Sequence, residues 1–422
     1  MRRKTLLVAS LGVVAVLSLV VGGLWTATAD TTSVKDEVAL GKALFFDERL
    51  SLNENQSCAA CHGPEAGWVG PDQPINAHGA VYEGSIPGAF GDRKPPSAAY
   101  ATQAPILHMP TPGHFVGGMF WDGRATGEIL GSATAEQAKG PFLNPVEQAI
   151  PDAACLVYKV VTGPYDPSFQ DVWGDAIDAV EWPADMATTC DAGPLSGDDQ
   201  TLIATAYDQI GYSIAAYEGS RKVNAFTSKW DARKADRATF TDLERRGFDL
   251  FKHKGNCANC HTVYGWRAVF TDFTYDNLGI PANPENPIYA HNPSFVDLGL
   301  GGYLAHRPDY AAYADMNKGK FKVPTLRNVD QRPYPEFVKA FGHNGYFKSL
   351  EAIVHFYNTR DVLPTCDQAA HPGWVEGKDC WPAPEYPYNV NDTELGNLGL
   401  TRYQERAIVA FIKTLSDGWF VP

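Results

Sequence analysis

The sequence predicts a mostly α-helical fold of two similar halves with long loops, preceded by an N-terminal export signal. The pattern C-x-x-C-H occurs twice, 199 positions apart, which indicates a duplicated unit. Short amphipathic helix patterns precede both copies, and helix patterns also close both halves. The 30 prolines and 39 glycines are too many for a plain helical bundle, so we expect long loops between the helices.

Composition and charge limit the class of protein. The chain has 422 residues, of which 44 % are hydrophobic and 20 % are charged, and this is typical of a globular protein with two or three domains. It excludes a fibrous or largely disordered chain. The net charge of −14 argues against a nucleic-acid partner, because phosphate binding requires a basic face.

The N-terminus has the pattern of a secretory signal. Basic residues at 2–4 precede an apolar run over 6–24, and Ala27-Thr28-Ala29 supplies the small residues of a cleavage site. We expect residues 1–29 to be removed and the rest of the chain to be periplasmic. An uncleaved anchor is the alternative, since the run is nearly long enough to span a bilayer. Only in that case would the chain be attached to a membrane.

The two C-x-x-C-H motifs are attachment sites of c-type haem. Their residues are Cys58, Cys61 and His62 in the first half and Cys257, Cys260 and His261 in the second. In such a motif the thiols add to the two vinyl groups of the porphyrin, and the adjacent histidine binds the iron. A zinc site would need a second cysteine pair nearby, which neither motif has. The sequence therefore predicts two covalently bound c-type haems with His62 and His261 as iron ligands.

The other four cysteines are expected to form structural disulfides, because an exported chain lies in an oxidising compartment. They are Cys155, Cys190, Cys366 and Cys380, and four cysteines allow three pairings. We favour Cys155 with Cys190 and Cys366 with Cys380, because each pair lies within one predicted half.

The duplication extends to the surrounding helices. Helix patterns cover residues 37–46, 202–217, 244–251 and 401–415, two in each half. Thr241 and Thr401 are each followed three positions later by Glu or Gln, which is the spacing of an N-terminal capping box.

Each half therefore resembles a cytochrome c domain. We predict one such haem domain over residues 30–225 and a second over residues 226–422. Long loops cover residues 63–118 and 279–303, and loops of this length inside a domain usually pack against something large. A buried haem is a suitable packing partner.

Further segments carry a resemblance to a known family. They are Phe120-Trp121-Asp122-Gly123-Arg124, Gln137, Gly140-Pro141-Phe-Leu-Asn144-Pro145-Val-Glu147, Phe321-Lys-Val-Pro324-Thr-Leu-Arg327-Asn328 and His343-Asn344-Gly345. In this order they resemble the bacterial di-haem cytochrome c peroxidase and MauG family over essentially the whole mature chain, and the MauG-like branch more closely. The resemblance implies an exported di-haem oxidoreductase that uses hydrogen peroxide as oxidant. It makes the first domain the peroxide-reacting one and the second the electron-transfer domain.

The resemblance also implies roles for residues around the N-terminal haem. It assigns Glu147 as the acid and base that moves the peroxide protons, with Gln137 and Pro141 lining the same pocket. Burial beside the haem is expected to raise the pKa of Glu147. Trp121 matches the family's tryptophan between the two haems, which helps electrons pass.

The second axial ligand of the C-terminal haem distinguishes the branches of the family, with methionine in the peroxidases and tyrosine in MauG-like proteins. Alignment from the H-x-G start at His343 places Tyr357 at this position. A tyrosinate ligand stabilises oxidised iron and lowers the reduction potential. His355, two residues earlier, and Met316 are the alternative ligands, and a position left without a ligand is the remaining alternative.

Two positions depart from the family pattern. Peroxidases have a loop histidine that binds the resting N-terminal haem, but Ile86 takes its place here and His78 is out of step. We therefore expect this haem to be five-coordinate at rest, with ligation by His78 as the alternative. The family also holds a Ca²⁺ between its domains through an asparagine, which Lys94 replaces. Lysine cannot bind Ca²⁺, but backbone carbonyls near Val338 and Ala340 could, so calcium is left open.

The resemblance implies a second reactant besides hydrogen peroxide. In MauG-like enzymes the oxidised target is a residue of a partner protein, whereas in the peroxidases a small c-type cytochrome or copper protein supplies electrons. The competing hypothesis is a non-enzymatic di-haem electron-transfer cytochrome with both irons six-coordinate. Glu147 and Gln137 argue against it, because an electron carrier needs no acid and base beside its haem.

Overall fold

The structure, a computed structural model, describes residues 31–419 and confirms the mostly α-helical fold. Its α-helices are α1 (Thr31–Phe45), α2 (Cys58–Cys61), α3 (Gln73–Ala77), α4 (Ala133–Leu143), α5 (Ala153–Val161), α6 (Asp166–Trp173), α7 (Met186–Thr189), α8 (Gly197–Gly219), α9 (Lys229–Lys234), α10 (Asp242–Lys252), α11 (Ile288–His291), α12 (Gly299–Leu304), α13 (Leu350–Thr359) and α14 (Arg402–Lys413). Two short antiparallel pairs join strands β1 (His108–Thr111) with β2 (His114–Val116) and β3 (Tyr275–Asp276) with β4 (Phe321–Lys322).

The signal predicted over residues 1–29 lies outside the described residues. None of the described helices is long and apolar enough to cross a membrane.

The first half is built on the crossing of α1 and α8. Leu44 and Phe45 of α1 lie in one buried core with Ile210 of α8. The two helices approach closely at Gly41, where an added Cβ would lie 1.7 Å from the carbonyl oxygen of Ser213. Any side chain at position 41 would therefore push the helices apart, so the crossing requires glycine.

The second half repeats this crossing with α10 and α14. An added Cβ at Gly247 would lie 1.8 Å from the carbonyl oxygen of Ala407. In both halves a fully buried phenylalanine follows the glycine by four residues, Phe45 in the first half and Phe251 in the second. In both halves, a glycine at the crossing and a buried phenylalanine four residues later thus position the helix that precedes the haem motif, α1 in the first half and α10 in the second.

The predicted capping boxes are present at the starts of α10 and α14. The Thr241 hydroxyl accepts a hydrogen bond from the Glu244 backbone N–H, and the Glu244 carboxylate accepts one from the Thr241 backbone N–H at 2.7 Å. Thr401 and Gln404 form the same reciprocal pair, with 2.9 Å from the Thr401 N–H to the Gln404 Oε1. These bonds satisfy donors that the first helical turn leaves free.

Both predicted disulfides are confirmed. Cys155 of α5 is bonded to Cys190, which directly follows α7. Cys366 is bonded to Cys380 in the connection between α13 and α14. The four cysteines of the C-x-x-C-H motifs are free thiols.

The buried apolar residues form two large cores. One draws on residues between 40 and 223 and the other on residues between 230 and 415. A smaller cluster packs Leu107 and Phe115 from the first half against Tyr275 and Leu300 from the second. The domain limits at residues 225 and 226 stay a prediction.

Candidate functional site

The C-terminal haem motif lines a mostly apolar cavity of about 210 Å³. Cys257, Cys260 and His261 all face this cavity. The Nδ1–H of His261 donates to the backbone carbonyl of Phe270 at 2.9 Å. This bond fixes the ring and leaves Nε2 as the nitrogen available to iron.

The N-terminal motif lines a second, smaller cavity of about 60 Å³. Helix α2 carries both cysteines of this motif, and His62 ends the helix. The Nδ1–H of His62 donates to the Trp68 carbonyl at 3.3 Å, which again leaves Nε2 available. Burial lowers the pKa of His62 to about 4, so its ring is neutral at pH 7, the form that binds metal.

The residues of both cavities fit covalently bound haem. The four motif thiols are free, although the other four cysteines are paired in disulfides. Each cavity thus presents two thiols and one oriented imidazole, which is the donor set that c-type haem attachment requires. Pro96 and Ser97 line both cavities, so the two sites share a wall.

Helix α4 and the turn after it form one side of the N-terminal cavity. Gln137 and Pro141 are four residues apart on α4 and so lie on one face, and both line the cavity together with Glu147. The Asn144 Nδ2 donates to the Glu147 Oε2 at 2.8 Å. Burial raises the pKa of Glu147, although the Asn144 hydrogen bond opposes the rise. The residues predicted for the peroxide pocket therefore lie at the same cavity as His62.

Trp121 lies in the wall of the C-terminal cavity and is only 7 % exposed. Its indole N–H donates to the Lys94 carbonyl at 2.8 Å, and its own carbonyl accepts from the Lys322 backbone N–H at 2.9 Å. Lys94 directly precedes the Pro-Pro-Ser segment that separates the two cavities. The indole is therefore fixed beside the shared wall.

Helix α13 separates the candidate ligands of the C-terminal haem. Tyr357 lines the cavity that His261 lines. His355 does not line it: its Nδ1 lies 2.8 Å from Glu405 Oε1 and its Nε2 lies 2.9 Å from the Gly377 carbonyl. Met316 is 45 % exposed, and none of the described residues lining this cavity is a methionine.

Comparison with known proteins places the chain. The model of the family described as di-haem cytochrome c peroxidase matches residues 35–239. The methylamine utilization protein MauG of Paracoccus denitrificans (strain Pd 1222) is 32 % identical over 404 residues, which cover 94 % of this chain and 92 % of that protein. This chain belongs to the di-haem cytochrome c peroxidase and MauG family.

Two further proteins are similar to this chain along most of its length. Cytochrome-c peroxidase IdrP2 of Denitromonas iodatirespirans is 25 % identical, covering 90 % of this chain and 82 % of that protein. The crystal structure of the diheme peroxidase BthA from Burkholderia thailandensis E264 matches with a TM-score of 0.72 and 30 % identity, covering 91 % of this chain and 87 % of that chain.

Membership of the di-haem peroxidase and MauG family fixes the class of reaction and the cofactors. The chain is an oxidoreductase that carries two c-type haems and uses hydrogen peroxide as oxidant. The prediction of a peroxidase-type enzyme is confirmed, and the hypothesis of a non-enzymatic electron carrier is not favoured.

The positions that depart from the family pattern lie outside the N-terminal cavity. The His78 side chain is 72 % exposed, and its Nδ1 lies 3.1 Å from Glu285 Oε1. Ile86 is 38 % exposed, and neither residue lines the cavity. Lys94 is buried and its Nζ donates to the Pro95 carbonyl at 2.9 Å.

Sequence reasoning missed polar residues that also line the cavities. Glu218 faces the N-terminal cavity from α8, its Oε2 is buried without a hydrogen-bond partner, and burial raises its pKa to about 8. It follows buried Ile214 by four residues, so helical spacing could have placed it on the inner face of α8. Lys322 and Lys339 line the C-terminal cavity, and no local signal marks either as buried.

Proposed function

We propose that this chain cleaves hydrogen peroxide at the haem held by His62, with Glu147 as acid and base, and that Trp121 carries the oxidising equivalents toward the C-terminal haem. The observation that carries the proposal is the position of Glu147 and Gln137 at the same cavity as His62. A distal carboxyl and amide have no role in a haem that only carries electrons.

Glu147 supports peroxide cleavage by moving a proton. When bound, the haem iron supplies the redox chemistry that breaks the O–O bond. The Glu147 carboxylate would accept a proton from one peroxide oxygen and give it to the other, which would leave as water. The bond from Asn144 to Oε2 holds the carboxyl in place and leaves Oε1 for this transfer. Burial brings the pKa of Glu147 closer to neutrality, which eases proton transfer in both directions.

We assign Tyr357 as the residue that would bind the C-terminal iron together with His261, because both line the same cavity. Burial raises the pKa of Tyr357, because its phenolate charge would be far from water. A ferric ion would offset this cost, because a bound cation favours the deprotonated form of its ligand. His355 is less suited to this role, since both of its ring nitrogens are already engaged.

The partner and location of the enzyme belong to the same proposal. A tyrosine ligand favours the MauG-like branch, so we expect the oxidised target to be a residue of a partner protein. A small c-type cytochrome or copper protein that donates electrons is the second candidate. We place the mature chain in the periplasm, while calcium between the halves stays a prediction without support from the described residues.

The test of this function is the reaction of the purified holoprotein with hydrogen peroxide, followed by stopped-flow absorbance. Glu147→Gln should retain both haems and react at least a hundredfold more slowly, because general acid–base groups contribute about 10²–10⁴ to rates. The matched control is Glu181→Gln, a change to an exposed glutamate of the same half, which should react like the wild type. Equal rates in the two variants would contradict the role of Glu147.

A further inference from the structure

Three lysines line the C-terminal cavity beside the shared wall: Lys94, Lys322 and Lys339. Lys94 and Lys339 are buried, and Lys322 is half-buried. Among the described residues, the hydrogen-bond partners of the three ammonium groups are backbone carbonyls and one thioether, and none is a carboxylate. Buried lysines without an anionic partner are rare, because the charge loses its hydration.

The three ammonium groups differ in how far their donors are satisfied. The Lys339 Nζ donates to three backbone carbonyls, at 2.6 Å to Ala66, 2.7 Å to Gln331 and 3.2 Å to Asn328. An ammonium has three N–H donors, so every donor of the Lys339 ammonium has an acceptor. Its bonds to Ala66 in the first half and to Gln331 in the second tie the halves together.

Lys94 and Lys322 retain unused donors. The Lys94 Nζ has one carbonyl partner, that of Pro95. The Lys322 Nζ donates to the Gly118 carbonyl at 2.5 Å, and its other contact is the weak acceptor Sδ of Met119 at 3.1 Å. Burial lowers the pKa of Lys94 to about 8 and that of Lys322 to about 7.

Arg93, the residue before Lys94, differs from the two lysines because carboxylates of the chain pair with it. Arg93 directly precedes Lys94 and is paired with Asp122 at 2.7 Å and with Asp297 at 2.6 Å. Its positive charge is therefore neutralised by the chain itself. The charges of Lys94 and Lys322 are not, so an anion from outside the chain is the missing partner.

A c-type haem brings two propionate carboxylates to its cavity, and a carboxylate is the natural partner of a buried ammonium. We infer that Lys322 and Lys94 bind haem propionate at the edge of the C-terminal cavity beside Trp121. Both lysines are bonded through their backbones to Trp121, and the Lys94 Nζ lies 5.7 Å from the indole centroid. The propionates thus offset cationic charge that would otherwise make the indole harder to oxidise. This inference requires two bound haems but neither Glu147 nor Tyr357 as assigned above.

The test is a spectroelectrochemical titration of the purified holoprotein. Removal of a positive charge beside the haem favours ferric iron, so Lys322→Met should shift the ferric/ferrous equilibrium of the C-terminal haem at least tenfold toward ferric, about 59 mV for one electron. Lys320→Met is the matched control, because Lys320 is half-buried, precedes β4 by one residue and does not line the cavity. It should shift the equilibrium less than twofold. Equal potentials in the two variants would overturn the inference.

A second variant covers a loss of folding or of haem in Lys322→Met. Lys322→Arg keeps the charge, so it should retain the wild-type potential within twofold in the equilibrium. Its guanidinium should nevertheless change the hydrogen bond to the carboxylate and shift the propionate-bending band in the resonance Raman spectrum. An unchanged band in Lys322→Arg would overturn the inference, and so would a tenfold shift in its potential.

Discussion

Tyr357 and His355 lie two positions apart on α13, and their side chains face different parts of the protein. Tyr357 faces the C-terminal cavity beside His261, whereas His355 lies between the buried Glu405 carboxylate and the Gly377 carbonyl. Residues two apart on a helix do not share a face, and of these two only Tyr357 lines the cavity. Tyr357 therefore faces the cavity proposed to hold the haem, and His355 lies where α13 packs against α14.

Replacement of Tyr357 by phenylalanine is expected to change one haem only. Without the phenolate the C-terminal iron loses a ligand, so its low-spin absorption and EPR features should disappear while those of the N-terminal haem remain. His355→Gln is the control: it should leave both haem spectra intact and lower the thermal stability, because it disturbs the buried Glu405 contact. An unaltered spectrum of Tyr357→Phe would remove Tyr357 as the ligand.

The resting oxidised enzyme is expected to show one high-spin and one low-spin ferric signal in a low-temperature EPR spectrum. The high-spin signal would come from the N-terminal haem, because His78 lies at the surface beside Glu285. Met119 lines this cavity, but its Sδ is in contact with the Lys322 Nζ. Two low-spin signals would contradict the expectation and would make Met119 the first candidate for a sixth ligand.

Trp121 is expected to control how fast oxidising equivalents reach the C-terminal haem. Trp121→Phe should leave the first reaction with peroxide within twofold of the wild-type rate and slow the spectral change of the C-terminal haem at least tenfold, because phenylalanine is much harder to oxidise. Stopped-flow absorbance at wavelengths specific to each haem separates the two steps. Trp182→Phe is the control, since Trp182 packs against Tyr158 in the first half and lines neither cavity. Equal transfer rates in both variants would exclude the role of Trp121.

The peroxide reaction is expected to depend on pH through Glu147. Only the ionised carboxylate accepts a proton, and burial raises the pKa of Glu147 above its ordinary 4.5. The rate constant should therefore fall as the pH drops through this raised pKa, and Glu147→Gln should lack this step. Because the folded chain holds the proton more tightly than the unfolded chain, the same ionisation lowers folding stability as the pH rises. A wild-type rate independent of pH between 4.5 and 8 would refute the assignment.

Features that depend on local sequence could be predicted. Thr241 and Glu244 are three residues apart, and the capping box they form needs no distant partner. The pairing of Cys366 with Cys380 likewise follows from their proximity in the chain. The haem motifs are local as well, because both thiols and the histidine lie within five residues.

Features that depend on distant packing could not be predicted. Lys339 has the composition of a surface residue, but its ammonium is bonded to the carbonyl of Ala66, 273 positions away. Glu218 lies in a polar stretch of sequence, yet it is 4 % exposed because α8 turns it toward the N-terminal cavity. Only the assembled fold shows that these charged groups belong to the surroundings of the haems.

The two glycine crossings also bear on the order in which the enzyme matures. Gly41 contacts Ser213 of α8, and Gly247 contacts Ala407 of α14. Each half can therefore complete its core only after its last long helix, α8 or α14, is in place. On the proposed export of this chain, its segments would emerge in sequence and its N-terminal part would fold first. Both thiols of a motif therefore emerge well before the helix that covers them, which leaves a period in which haem can be joined to an open chain. The first half would then close over its haem while the second motif is still awaiting its own.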